Sequence, residues 1–315
     1  MAADAAGYAS MPLPLFYSMS QAGRAIAAAH RHQDWELHGH GLQVDGPANG
    51  HLLETIIKPS RGVRNSFRGV ADAIGSPGLN DEVTLGALWA ANPDLSDVPV
   101  PSSVHSWPTP LTFLMNDPER LRNDNGELID PEQYFVSTTG ACWISVKLSA
   151  ATGQELTDAL RPYPTLRDAF GYTRKPEGGA PAGPGDPVVV SVGPDGVPSM
   201  NIGKPIPINT NMATSLRMER TFASVIEKDL DHANAPDALL KGHALPELGG
   251  GPSPFPLMLW WGLLLGLSSL ARYYPAAWTE AIDLDSSELA VSLERVLDIA
   301  RERVPMRILR ALKMS

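Results

Sequence analysis

The sequence predicts an α+β fold, with helical N- and C-terminal regions packed together and a β-rich middle region. Three observations predict it. From Leu15 to about Leu95 the apolar residues mostly follow helical spacing. From Trp107 to about Pro207, runs rich in β-branched and aromatic residues lie between turn signals. From about Met212 onward the pattern is helical again. The expected regions are 1–106, 107–210 and 211–315, with the two helical ends joined into one composite domain.

The first element is "LFYSMSQAGRAIAAA", whose strong helix formers and nearly all-round apolar residues predict a largely buried helix ending near Ala29 or His30. "WELHGHGLQV" then alternates as a strand would. Glu36, His38 and His40 fall on one face, and the glycines opposite leave room for a backbone or a ligand. "GVADAIG" and "TLGALWAA" predict short helices, ended by Gly or by Asn-Pro. In the middle region "QYFVS", "CWISVKL" and "PVVVSVG" predict strands, with Asn125–Gly126 and Asp195–Gly196 as hairpin turns. "GQELTDALR" predicts a helix interrupting the sheet. Residues Arg174 to Pro187 are too rich in Pro and Gly, and too poor in apolar residues, to pack.

"PFPLMLWWGLLLGLSSLA", Pro254 to Ala271, carries no charge, and this length is the lower limit for a membrane span. Its two early prolines, the Ser268–Ser269 pair and the lack of flanking basic clusters favour a buried core helix, so no membrane is expected. The last helix, "DSSELAVSLERVLDIARERV", opens with Asp285 and Glu288 at capping-box spacing. Its Leu289, Leu293, Val296, Leu297 and Ile299 follow a helical period.

Composition bounds function. At 315 residues, 43% hydrophobic and 19% charged, the chain suits a folded protein with a full core. A net charge of −10 repels nucleic acid and anionic membrane overall, so binding to either must use a local patch. Cys142 is the only cysteine, which excludes an internal disulfide and suits a reducing cytoplasm. Lys and Arg are absent before Arg24, so the start lacks the positive region of a signal peptide. Neither a P-loop nor a Gly-x-Ser-x-Gly elbow occurs, and the Gly-x-Gly of "GHGLQVDG" lacks the rest of a dinucleotide fingerprint.

Two stretches hold candidate site residues. Glu36, His38 and His40, completed by His30, His32 or His51, have the chemistry of a zinc or iron site. His-x-His without a further Asp or Cys at defined spacing more often binds backbone, so no metal or cofactor is expected. Lys58, Arg61, Arg64 and Arg68 occur with no acid between Thr55 and Ala71. On a helix the last three would form one stripe able to hold phosphates. Arg301, Arg303, Arg307, Arg310 and Lys313 complement the C-terminal dipole of the last helix.

Arg24 and His30 fall within the Arg-to-His spacing of HEPN-type ribonucleases. The resemblance is confined to this motif and the helix carrying it. It implies an arginine steadying the scissile phosphate and a histidine moving the proton. Ala25 departs from the polar residue usual there, and six helical positions set the two side chains about 120° apart. A larger resemblance covers most of the chain. "LFYSMSQAGRAIAAA" followed by "HGHGL", then "TLGALWAANPDL", then "LMLWWGLLLGLSSLARYYPAAW" resemble successive segments of YaaC-like bacterial proteins. That resemblance implies a bacterial cytoplasmic protein and no particular reaction. It makes Gln21, Arg24, His40, Gly41, Arg272, Tyr274, Pro275 and Trp278 site candidates.

The expected role is binding of a phosphate-bearing ligand, a nucleotide or RNA phosphate, or of a macromolecular partner, near Gln21, Arg24, His40, Gly41, Arg61, Arg64 and Arg68. Two alternatives stand beside it. One is a metal-independent ribonuclease using Arg24 and His30. The other is an assembly subunit, a homo-oligomer or part of a larger complex, docking through the helices around Trp260 and Trp278.

Overall fold

The structure is a computed structural model describing residues 7–30, 36–47, 51–62, 65–101, 107–116, 144–147, 162–163, 188–192, 198–202, 227–228 and 239–313. These form two compact units, Met1–Pro110 with Glu247–Ser315, and Leu111–Pro246.

The first unit opens with helix α1, Pro12–His30. Pro12 and Pro14 sit in its first turn, where the missing N–H groups break no helical bond. Leu15, Phe16, Met19, Gly23, Ile26 and Ala27 are buried along one face. Strands β1 (Leu42–Asp45) and β2 (Ile56–Pro59) pair antiparallel, with Leu42 opposite Pro59. Helix α2 spans Ser66–Ala73, and the Asn65 side chain caps it by accepting from the Arg68 N–H at 2.8 Å. Strand β3 (Val83–Thr84) pairs with β2, and Thr84 caps helix α3, Leu85–Ala90. A 3-10 turn follows at Pro93–Leu95.

The second unit is β-rich. Strands β4 (Leu111–Asn116), β9 (Leu239–Ala244) and β8 (Glu227–Lys228) form one antiparallel sheet in the order β4-β9-β8. Strands β5 (Ile144–Lys147), β7 (Pro198–Ile202) and β6 (Val188–Val192) form another in the order β5-β7-β6. Val192 lies opposite Pro198. The expected turns at Asn125–Gly126 and Asp195–Gly196, the strand "QYFVS", the helix "GQELTDALR", the Arg174–Pro187 loop and Cys142 lie outside the described residues.

The chain returns to the first unit through a hairpin of β10 (Glu247–Leu248) and β11 (Gly251–Pro252). Helix α4, Pro256–Tyr273, is buried at every position from Pro256 to Leu270. Each leucine so buried contributes about 1.5–3 kcal/mol of transfer free energy, which makes this helix the centre of the core. α1 and α3 pack against it. A Cβ at Gly23 of α1 would overlap the Trp261 ring, so the glycine sets how closely α1 and α4 approach. No helix among the described residues is long and apolar enough to cross a membrane. Helix α5 is Pro275–Ala281, and helix α6, Ala290–Lys313, packs on α1 and α4. The helical ends thus share one core while the middle of the chain is β-rich.

Arg307 of α6 is only 4% exposed and binds the Asp94 carboxylate with two nitrogens, Nη2 to Oδ1 at 2.7 Å and Nε to Oδ2 at 3.2 Å. Trp260 Nε1 of α4 donates to the same Oδ2 at 2.8 Å. One carboxylate therefore fastens both helices to the turn after α3.

Three local expectations are corrected. The expected strand from Trp35 to Val44 is reduced to Leu42–Asp45, because Gly39 (φ 61°) and Gly41 (φ 81°) turn the backbone into the left-handed region. The side chains of Glu36, His38 and His40 therefore do not follow one strand's alternation. Arg61 and Arg68 do not share a helix either. Asn65 starts α2 after Arg61, which lies in a bend, and Arg64 lies outside the described residues. Finally, α6 begins at Ala290 rather than after a cap at Asp285. The Asp283 carboxylate accepts from Asp285 N–H and the Ser286 hydroxyl, holding that stretch in turns, and Ser287 Oγ accepts from Leu289 N–H.

Candidate functional site

The exposed side of α1 carries Tyr17, Gln21 and Arg24 at helical spacings of four and three, so the three share one face. The last turn of α4 supplies Arg272, just where the helix emerges from the core. Arg272 Nη1 donates to the Tyr17 hydroxyl at 2.8 Å. Its guanidinium carbon lies 6.0 Å from the Tyr17 ring centroid and 4.9 Å from that of Tyr273, both within cation–π range.

The loop 38–41 brings His40 to the same place. Trp261 Nε1 of α4 donates to the His40 carbonyl at 3.1 Å, and the Phe16 ring meets the imidazole edge-on at 5.0 Å. The Ser66 hydroxyl, at the start of α2, holds the Gly39 carbonyl at 2.6 Å. Gly41 is buried with φ 81°, and a Cβ there would overlap Phe67 N and lie 2.6 Å from Asn65 Oδ1. Its contribution is to the loop's path, since any side chain would push the loop off α2.

The electrostatics are one-sided. His40 retains exposed surface, yet Phe16 covers part of its ring. This partial burial first, then the charges of Arg272 and Arg24, hold its pKa below the ordinary 6.5. Among the described residues neither Arg24 nor Arg272 is paired with a carboxylate. Arg24 and Arg272 therefore form a cationic patch around the neutral-favoured His40, from three segments in a chain of net charge −10.

The other sequence candidates fall in different places. α1 runs through His30, so Arg24 and His30 leave it about 120° apart. His30 Nε2 lies 2.7 Å from the Ala311 carbonyl oxygen near the end of α6. Arg61 and Arg68 are exposed, the latter in the first turn of α2. Lys58 pairs with Asp45 across β1 and β2 at 2.5 Å, and this hydrogen bond raises the ammonium pKa. Tyr274 lies against Gly46, where a Cβ would overlap its ring. Pro275 starts α5, and Trp278 Nε1 donates to the Ala9 carbonyl at 2.8 Å. Trp260 and Trp278 are buried at 0% and 3% exposure, so neither ring is presented for docking. Among the described residues no group of three or more His, Cys, Asp or Glu is placed to hold a metal ion.

Sequence reasoning missed Tyr17 and Tyr273. The available signal was Arg272, which ends the uncharged run and marks where α4 leaves the core, so that Tyr273 beyond it is exposed.

The sequence pattern of the YaaC-like protein family matches residues 1–120 and 237–312. The chain belongs to the YaaC-like family. Tyr17, Gln21, Arg24, His40, Arg272 and Tyr273 all lie within the matched residues. No curated protein and no solved structure matches the chain.

Proposed function

We propose that this YaaC-like protein binds a phosphate-bearing ligand at the patch of Arg24, Arg272, His40, Tyr17 and Gln21. The observation that carries the reading is that Arg272 of α4 donates to Tyr17 on the same exposed face of α1 as Arg24, so that two arginines, unpaired with any carboxylate among the described residues, meet beside His40. Like charges brought together without a counter-charge repel, and an anion held among them removes that repulsion. The arginines supply charge-assisted N–H donors. Tyr17 accepts from Arg272 and keeps its own O–H to donate. Gln21 offers an amide, and His40 a ring N–H.

Arg68 extends the reading to a longer anion, because the first turn of α2 is tied to the loop bearing His40. Arg61 and Arg64 join the proposal on the sequence alone. The cytoplasm is the proposed compartment, supported by a single cysteine in 315 residues.

The test is calorimetric titration of pyrophosphate into the full chain at about 50 and about 200 mM salt. Binding that weakens with salt and disappears in Arg24→Gln/Arg272→Gln is expected. No binding, or equal binding to the double variant, would reject the site.

A further inference from the structure

The patch is not only cationic. Helix α4 is buried from Pro256 to Leu270, yet it ends by presenting the Tyr273 ring, 65% exposed, to solvent. The Tyr17 ring across from it is 43% exposed. Arg272 lies within cation–π distance of both, at 4.9 Å and 6.0 Å from their centroids. Its guanidinium is anchored to the Tyr17 hydroxyl at 2.8 Å. A site for phosphate alone needs donors and positive charge, which Arg24, Arg272 and His40 already provide. It has no use for an exposed ring beside the cation. Two tyrosine rings and a planar guanidinium provide π surfaces, the platform on which a flat heteroaromatic group stacks.

We infer that the ligand is a nucleotide, its base stacked on Tyr273 beside Arg272 and its phosphate held by Arg24, Arg272 and His40. The inference rests on the phosphate reading above and adds the base to it. Stacking is tolerant of base identity, because every base has a π face. Tyr273 therefore distinguishes nucleotides from other phosphate esters and not one base from another. A free mononucleotide and one unit of a single-stranded nucleic acid share this chemistry.

The test compares three probes on the full chain: AMP, ribose 5-phosphate, which keeps the phosphate and sugar but lacks the base, and a short single-stranded oligoadenylate. Wild-type protein is expected to bind AMP about tenfold or more tighter than ribose 5-phosphate, the effect of one stacked base. Tyr273→Ala should erase that difference while leaving ribose 5-phosphate binding unchanged. Tyr273→Phe, which keeps the ring, should restore the AMP preference.

Oligoadenylate that binds much more tightly than AMP, with a steeper salt dependence, would identify a polynucleotide as the source. Equal affinity would identify the free nucleotide. Both results support a base-reading site. Equal wild-type affinity for AMP and ribose 5-phosphate, each lost in Arg24→Gln/Arg272→Gln, overturns the base while leaving the phosphate reading intact. Absence of binding by all three probes overturns both. A preference for AMP that survives Tyr273→Ala overturns the role given to this ring.

Discussion

Arg272 donates to the Tyr17 hydroxyl at 2.8 Å, linking the last turn of α4 to the exposed face of α1. The bond orients a cation at the point where the most apolar helix of the chain meets solvent. It also fixes which way the guanidinium faces relative to Arg24 and His40. Removing the tyrosine hydroxyl alone therefore tests orientation separately from charge. Tyr17→Phe is expected to weaken pyrophosphate binding severalfold while leaving the salt dependence nearly unchanged, because both arginines remain. Loss of the salt dependence itself in this variant would contradict that division of roles. Exposed substitutions of this kind should change stability by less than about 0.5 kcal/mol, so the melting temperature is the control.

His40 gives a pH prediction. Its folded-state pKa lies below 6.5 through burial, with Arg272 and Arg24 adding to the shift. A histidine favoured in its neutral form contributes stability above its unfolded pKa. That contribution is lost as pH falls from about 6.5 through the lower folded value. An NMR titration should therefore find His40 titrating below 6.5 in the free protein and rising toward 6.5 in Arg272→Gln. Bound pyrophosphate should raise it further, so binding takes up protons and tightens on acidification. An unshifted His40 in Arg272→Gln would show that the arginine does not reach it.

Much of the fold was legible in the sequence, and the reasons it was not everywhere legible are local. The uncharged run from Pro254 to Ala271 could only be buried or in a membrane, and it forms α4. The arginine spacing from Arg61 to Arg68 looked helical, but one cap decides where a helix starts, and Asn65 starts α2 after Arg61. The alternation around His38 and His40 looked like a strand, yet two glycines with positive φ were enough to break it. The site was less legible than the fold. Arg24 and His40 were identifiable as candidates one by one. Their meeting with Arg272 depends on α1 packing against α4, which no sequence spacing encodes. Tyr273 was missed although its neighbours Arg272 and Tyr274 were candidates, because sequence alone does not say which of two adjacent tyrosines faces solvent beside the arginine.

The two glycines of the His40 loop should behave differently. Both need left-handed backbone, which costs a residue with a side chain about 1–2 kcal/mol. At Gly39 a Cβ meets nothing within 4 Å, so Gly39→Ala should cost little beyond that strain. At Gly41 it would overlap Phe67 N and crowd Asn65 Oδ1, the cap of α2. Gly41→Ala is expected to lower the melting temperature clearly more than Gly39→Ala and to weaken ligand binding by displacing His40. Equal destabilisation by the two alanines would mean that Gly41 does not set the contact with α2.

The buried pair of Asp94 and Arg307 gives a prediction about the core on which the site stands. Their side chains are 6% and 4% exposed, and Asp94 also accepts from Trp260. Removing one member of such a pair leaves the other charge desolvated and uncompensated, at a cost of about 3–5 kcal/mol. Asp94→Ala should be the worse single change, since it takes the bidentate carboxylate from the Arg307 guanidinium and removes the acceptor of the Trp260 N–H together. Arg307→Met leaves a carboxylate that still accepts one hydrogen bond and that can take up a proton. Replacing both by apolar residues removes both buried charges, so Asp94→Leu/Arg307→Met should be more stable than Asp94→Ala despite carrying two substitutions. Denaturant melts of the three variants decide it. If the double variant is the least stable, the pair acts through its geometry, holding α4 and α6 to the turn after α3, and the charge argument fails.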